Sequence, residues 1–268
     1  MKQRTVPANV GRRLVWPALL LGTLIGCAAF APARWLAWGL EQLSQGVLRL
    51  PNANGSVWRG RSDLLLSGGA GSASARALPQ GLQWTLLPGW GRQGPEWALA
   101  LQAPCCTPQA ITWRLYWADG GPRLSLDPHH SHWPAHLLSG LGAPWNTLAL
   151  EGQLQLRSDG LTLQPGTHRL AVTGNLAIEA QDLSTRLSTL RPLGSYSFEL
   201  TATPEHTLAL KLDTLRGDLR LSGSGEWLNG RLRFRGLAET SSDRTDALSN
   251  LLNILGRRDG LRAHISLG

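Results

Sequence analysis

The chain has 268 residues and a formal net charge of +8, with 26 Lys and Arg against 18 Asp and Glu. Half of that excess is Lys2, Arg4, Arg12 and Arg13; the rest is scattered and almost all Arg. Nucleic-acid binding asks for a clustered basic stripe, so no nucleic-acid partner is expected. The length suits one ordinary domain or two small halves beyond the N-terminal run, with enough apolar residues (42%) for a sizeable core.

Residues 14–33, LVWPALLLGTLIGCAAFAPA, carry no charge. A bilayer core about 30 Å thick needs about 20 apolar residues as helix, so the run is long enough to span one. Cations precede it and only Arg34, Glu41 and Arg49 follow closely, which puts the short N-terminus inside and everything from about Arg34 outside. Pro17 does not oppose a span. An uncleaved anchor is the preferred reading. A lipoprotein signal ending at Cys27 (Leu24-Ile25-Gly26-Cys27) and a cleaved export signal (Ala29-Phe30-Ala31 or Ala31-Pro32-Ala33) are the alternatives. The expected division is 1–13 cytoplasmic, 14–33 transmembrane, 34–50 juxtamembrane helix, and two β halves, 51–142 and 143–268.

In 35–47, Leu36, Leu40, Leu43 and Val47 make one apolar helical stripe, expected to pack on the domain or lie at the membrane surface. After a turn-rich break at 51–55, every second residue is apolar. Leu82, Trp84 and Leu86 begin it, then Trp97, Leu99 and Leu101, then Ile111, Trp113, Leu115 and Trp117. The pattern continues through Leu154 and Leu156; Leu170, Val172, Leu176, Ile178 and Ala180; Tyr196, Phe198 and Leu200; and Leu208, Leu210 and Leu212. Such strands bury one face and wet the other, the antiparallel habit. Trp84, Trp97, Trp113, Trp117 and Trp227 fall on the apolar side and are expected in the core.

Asp159-Gly160 and Asn229-Gly230 are two-residue hairpin signals. Folding at the second sets Trp227 against Leu232, Gly225 against Phe234 and Leu221 against Ala238, with Glu226 meeting Arg233 on the other face. A one-residue slip would destroy both matches. Folding at the first puts Leu156 opposite Leu163. Gly217, Gly223, Gly225 and Gly236 on the apolar face mark bends or close approaches. A weak helix is expected over 132–141, a linker near 141–145, and a better helix over 243–255. That helix would be capped by Ser242 and ended by Gly256, with Leu248, Leu251, Leu252 and Leu255 on one face. A last strand follows over 260–267.

No catalytic, cofactor-binding or metal residue is assigned, and no enzyme is expected. Residues 89–94 fit G-x-G-x-x-G, but the dinucleotide motif needs a helix directly after it; here Pro95 and a strand follow, so the stretch reads as a hairpin loop. His129, His130, His132 and His136 crowd beside Asp127, without the base or second ligand cluster a zinc site would bring. Cys105 and Cys106 are adjacent in a segment expected to be exported. They form either a vicinal disulfide or two free thiols, and not a C-x-x-C redox pair.

Several segments together resemble one family: residues 55–60 (GSVWRG), 192–196 (PLGSY), 217–227 (GDLRLSGSGEW) and the C-terminal LLNILGRRDGLRAHISL. The family is type II secretion system protein N, also called general secretion pathway protein N. The resemblance runs in order over nearly the whole chain and brings no catalytic motif. It implies one inner-membrane span, a periplasmic domain, and an accessory part in exporting folded proteins across the outer membrane. Expected partners are other secretion-system subunits and inner-membrane lipid. The expected fold is mainly β: one N-terminal transmembrane helix, then an elongated, curved antiparallel sheet (half-barrel or open β) with a few short helices. The alternative is a periplasmic lipid- or hydrophobe-binding module of AsmA-like type, its hydrophobic ligand on the apolar sheet face.

Overall fold

A computed structural model describes residues 9–69, 71, 72, 74–118, 121–165, 170–203, 207–228 and 231–267. The uncharged run is not one helix. Helix α1 (Asn9–Ala29) ends before Pro32, and α2 (Ala33–Leu43) starts directly after it. Proline removes a donor and clashes with the preceding turn, so it stops one helix and opens the next. Among the described residues, no helix is long and apolar enough to cross a membrane. Lys2 and Arg4 lie outside the described residues.

The strands of the first half are β1 (Leu48–Arg49), β2 (Asn54–Gly55), β3 (Arg59–Ser62), β4 (Leu65–Ser67), β5 (Ala75–Ala77), β6 (Leu82–Gly91), β7 (Gly94–Gln102), β8 (Ile111–Ala118), β9 (Gly121–Leu126) and β10 (His129–Pro134). A 3-10 helix (Ala135–Leu141) and the one-turn α3 (Trp145–Leu148) follow. The second half holds β11 (Glu151–Pro165), β12 (Leu170–Ser184), β13 (Gly194–Ala202), β14 (Leu208–Gly217), β15 (Arg220–Leu228), β16 (Arg231–Glu239), helix α4 (Thr245–Leu255), β17 (Arg257–Asp259) and β18 (Arg262–Leu267).

Strands β1, β4 and β5 make a small sheet. The others form one antiparallel sheet in the order β17-β18-β16-β15-β14-β13-β12-β11-β9-β8-β7-β6-β3-β2, with β10 also on β11. Its end strands do not pair with each other, so it is an open sheet and not a closed barrel. Strand β11 joins the two halves: β10 pairs with its first part, Gln153 to Ser158, and β9 with Leu161, Thr162 and Leu163.

That pairing corrects one expected hairpin. Leu156 faces Ile178, not Leu163, because the chain runs straight on through Asp159-Gly160. The apolar positions change parity there, from Leu154 and Leu156 to Leu161 and Leu163, which is what an extra residue in a continuing strand produces. Ser158 Oγ donates to the Asn175 carbonyl at 2.7 Å and accepts from the Gly160 amide, while Gly160 takes φ +122°, a glycine conformation. The Asn229-Gly230 turn itself lies outside the described residues. Its flanking strands pair in the expected register: Trp227 with Leu232, Gly225 with Phe234, Leu221 with Ala238, and Glu226 with Arg233. Residues 89–94 form the β6–β7 turn, Gly91 facing Gly94.

Two helix expectations shift. Residues 132–134 are strand rather than helix, and Pro134 is where the 3-10 turn begins. Helix α4 starts at Thr245, three residues after Ser242, which instead opens a short 3-10 turn. Gly256 does end it, its amide donating to the Leu252 carbonyl.

Burial concentrates in three clusters. Leu248, Leu251 and Leu252 of α4 pack with Ala238, Ala263, Leu193 and Leu219. Tyr196, Leu212, Phe234 and Ala180 form the second, and Leu78, Ala103, Cys106 and Leu137 the third. The tryptophan expectation fails except at Trp84, which is buried. Trp113 is half-buried, while Trp97, Trp117 (66%) and Trp227 (48%) are exposed. Alternation fixes which side of the sheet a residue takes; it does not say whether anything covers that side.

Candidate functional site

Side chains on a strand alternate between faces, so cross-strand partners share a face. One row runs Leu86, Leu99, Trp113, Leu126 and Leu161. The next runs Pro88, Trp97, Leu115, Leu124, Leu163 and Val172. In the second half Leu156, Ile178, Phe198 and Leu212 form a row, and Leu176, Leu200, Leu210, Gly225, Phe234 and Leu267 another. Together they make one apolar face across the whole sheet, interrupted by the joining bulge but not inverted by it.

Among the described residues, helices cover this face at one end. Trp84, Leu101 and Ile111 at that end lie beneath α2. Ala103 meets Leu137 of the 3-10 helix, and Ala238 and Ala263 meet α4. At the other end Trp90, Trp97, Leu115, Trp117 and Trp227 stand exposed. Glycine explains why Phe234 is buried next to the exposed Trp227. A Cβ on Gly223 or Gly236 would come within 2.5 Å and 2.8 Å of the Phe234 ring, so the ring lies flat over both.

Between α2 and the sheet is an apolar chamber of about 560 Å3. Leu36, Gly39, Leu40 and Leu43 line it from the helix, Leu82, Trp84, Leu99, Leu101 and Ile111 from the sheet, and Trp133 from β10. Thr107 also lines it, but its hydroxyl is held by the Ala103 backbone, accepting from the amide at 2.9 Å and donating to the carbonyl at 3.0 Å. The stripe Leu36, Leu40, Leu43 was legible in the sequence. The gap beneath it was not, though a glycine inside an amphipathic helix is the signal that could have pointed there.

The other face is polar. Arg114 ties three segments together: Nη1 donates to Glu96 Oε1 at 2.8 Å, and Nε and Nη2 reach the Asp127 carboxylate at 2.9 Å. Over β13 to β16 a shallow polar cleft carries Glu199, Lys211, Glu226, Arg233 and Arg235.

The histidines are brought no closer to a metal site by folding. Strand β10 sets His130 against Arg157 and His132 against Gln155, while His136 falls in the 3-10 turn, so His132 and His136 do not share a helix face. Burial pushes the His129 imidazole below its usual range. Among the described residues, no group of three or more His, Cys, Asp and Glu gathers to hold a metal ion. Cys105 and Cys106 form a vicinal disulfide, with Cys106 buried in the third cluster; Cys27 is a free, exposed thiol on α1.

The family described as Type II secretion system (T2SS), protein N, matches residues 47–264. The chain belongs to the type II secretion system protein N family. The match begins just after α2 and takes in every strand down to the middle of β18, with the 3-10 helix and α4; α1 and α2 lie before it. Within that stretch fall Gly55 to Gly60, which cross from β2 into β3, and the β15–β16 pair. No curated protein and no solved structure matches the chain. As a member of this family, the chain is a component of type II secretion, a protein-transport machine of the cell envelope, and acts with other subunits of that machine. The AsmA-like alternative finds no support in these matches.

Proposed function

We propose that this chain is a non-enzymatic subunit that holds a periplasmic β-sheet scaffold against the inner membrane, with α1 as a single-pass anchor and the N-terminus in the cytoplasm. The family match across the whole sheet carries this reading. Three observations support the membrane side of it. Residues 14–33 are uncharged and follow a segment whose charged residues, Lys2, Arg4, Arg12 and Arg13, are all cationic. Trp16, Leu19, Leu20, Leu21, Leu24 and Ile25 all point away from the protein, on every side of α1; a helix apolar all round belongs in a core or in lipid. The Cys105–Cys106 disulfide is the chemistry of an oxidising compartment.

The partners are other secretion-system subunits. No catalytic, cofactor or metal role is given to any residue; the contribution is position. The test is genetic and physical together. Deleting the gene from a secreting strain should leave folded cargo in the periplasm, and the full chain should cross-link to and copurify with other secretion subunits from membranes. Unchanged secretion together with no subunit recovered would overturn the reading. Intact mass of membrane-extracted protein checks the anchor: loss of residues 1–26 with added acyl chains would make it a lipoprotein instead.

A further inference from the structure

We infer that the chamber beneath α2 is a binding site for one hydrocarbon chain of a lipid, entered beside Leu43. The inference stands on the chamber alone and requires neither the secretion role nor the anchor topology.

The chamber has the volume of a small-molecule site, which usually falls at about 300–1,000 Å3. It is several times larger than the roughly 150 Å3 apolar cavity that stays dry and takes up a small hydrophobe. Among the described residues, the polar groups of its lining side chains are already satisfied: the Thr107 hydroxyl by backbone, the Trp84 indole N–H by the Ser56 and Val57 carbonyls, and the Trp133 indole N–H by Ser131 Oγ. Water needs two to four polar partners to settle in a cavity, and none are on offer. A polar or charged ligand would lose its own hydration without replacement. What the lining can recognise is hydrocarbon.

Gly39 leaves room on the helix side of the chamber. It sits mid-helix in α2, between Leu36 and Leu40 on the chamber wall, where glycine is a poor helix former. A Cβ built there meets nothing within 4 Å, and every residue except proline would favour the helix more than glycine does.

The shape favours a single chain. The liners run from Leu36 to Leu43, about 10 Å along the helix at about 1.5 Å per residue. Leu43 lines the chamber yet is 87% exposed, so the chamber opens to the outside there. A chain can lie along α2 with its head group remaining outside at that mouth. A diacyl lipid leaving one chain in the bilayer and a free fatty acid share this chemistry.

The full chain, reconstituted in phosphatidylcholine nanodiscs, is photolabelled in two arms. One arm carries phosphatidylcholine with a diazirine on an acyl chain, the other a diazirine fatty acid, and sites are mapped by mass spectrometry. Label on the sheet-side wall, Leu99, Leu101 or Ile111, is expected in at least one arm, and the arm that gives it names the source. In Gly39→Phe that label should fall by roughly ten-fold or more, since the ring occupies the space. Circular dichroism and melting temperature should hold or rise, and label on 16–29 should not change. Gly39→Leu should give a smaller loss in the same direction. No sheet-side label in either arm, or equal label in wild type and both folded variants, would overturn the site. Neither result bears on secretion, which the deletion strain reports separately.

Discussion

Trp58 and Trp97 stack with ring centroids 5.7 Å apart and planes 22° from parallel. The same Trp58 donates its indole N–H to the Ala28 carbonyl at 2.7 Å, at the end of α1, and the neighbouring Val57 amide donates to the Ala31 carbonyl at 2.9 Å. One side chain therefore joins the N-terminal helix to the exposed end of the apolar face. The stack is worth about 0.5–1.5 kcal/mol and the hydrogen bond a similar amount. Trp58→Phe should lose only the bond, and Trp58→Ala both. Hydrogen exchange at the Val57 amide should quicken slightly in the first variant and several-fold more in the second. Equal exchange in wild type and Trp58→Ala would mean the junction is held by other contacts.

Phe234 and Trp227 test the placement of the second-half core. Phe234 is buried over the glycine pair, and Trp227 is half out in solvent. Phe234→Ala should cost about 3–5 kcal/mol, the usual range for a buried aromatic. Trp227→Ala should cost no more than about 1–2 kcal/mol, because only part of its surface is buried. Glu226→Ala, which removes an exposed cross-strand partner of Arg233, should cost about 0.2–1 kcal/mol. Urea midpoints should rank the three in that order. A Trp227 variant as damaging as the Phe234 variant would mean something covers the open end in solution.

Tyr196 gives the fold a pH dependence. Its hydroxyl is buried and donates to the Leu219 carbonyl at 3.0 Å, and burial pushes its pKa well above the usual phenol value. The folded state thus binds this proton more tightly than the unfolded state. The contribution is whole below the unfolded pKa of about 10 and is lost as pH rises through the higher folded value. Stability should then fall by about 1.4 kcal/mol per pH unit above about pH 10 from this group. Tyr196→Phe leaves the Leu219 carbonyl unpaired and should cost about 1–3 kcal/mol at neutral pH, with a flatter decline above pH 10. Urea unfolding at pH 8, 10 and 11 checks both; parallel declines would assign the alkaline loss to other groups.

Cys105 and Cys106 are expected to matter for packing and not for secretion. Cys106 is buried among Leu78, Ala103 and Leu137. Replacing both cysteines with Ser puts a hydroxyl in that cluster and should cost about 1–3 kcal/mol. Secretion by the folded double variant should match wild type. A stable double variant that fails to secrete would give the pair a role of its own.

Much of the fold could be read directly from residue types. Period-two alternation marked the strands, the parity of apolar positions fixed the β15–β16 register, and Leu248, Leu251, Leu252 and Gly256 located α4. These signals are local: each depends on one strand's faces, one pair's register or one helix's turn. The break in parity between Leu156 and Leu161 was also written in the sequence. Asp-Gly fits a bulge as well as a turn, and only the pairing of β11 with both β10 and β12 separates the two.

Tertiary structure decided what covers the apolar face. Trp84 and Trp227 occupy equivalent alternating positions, yet one is buried beneath Ser56 and Val57, whose carbonyls accept its indole N–H, and the other is half exposed. Burial depends on elements far away in sequence coming to rest on a given row, and no local pattern records where they land. The same holds for the chamber: the sequence determined the stripe on α2 and the alternation on β6 to β8, while only their separation in space left the gap that Gly39 lines.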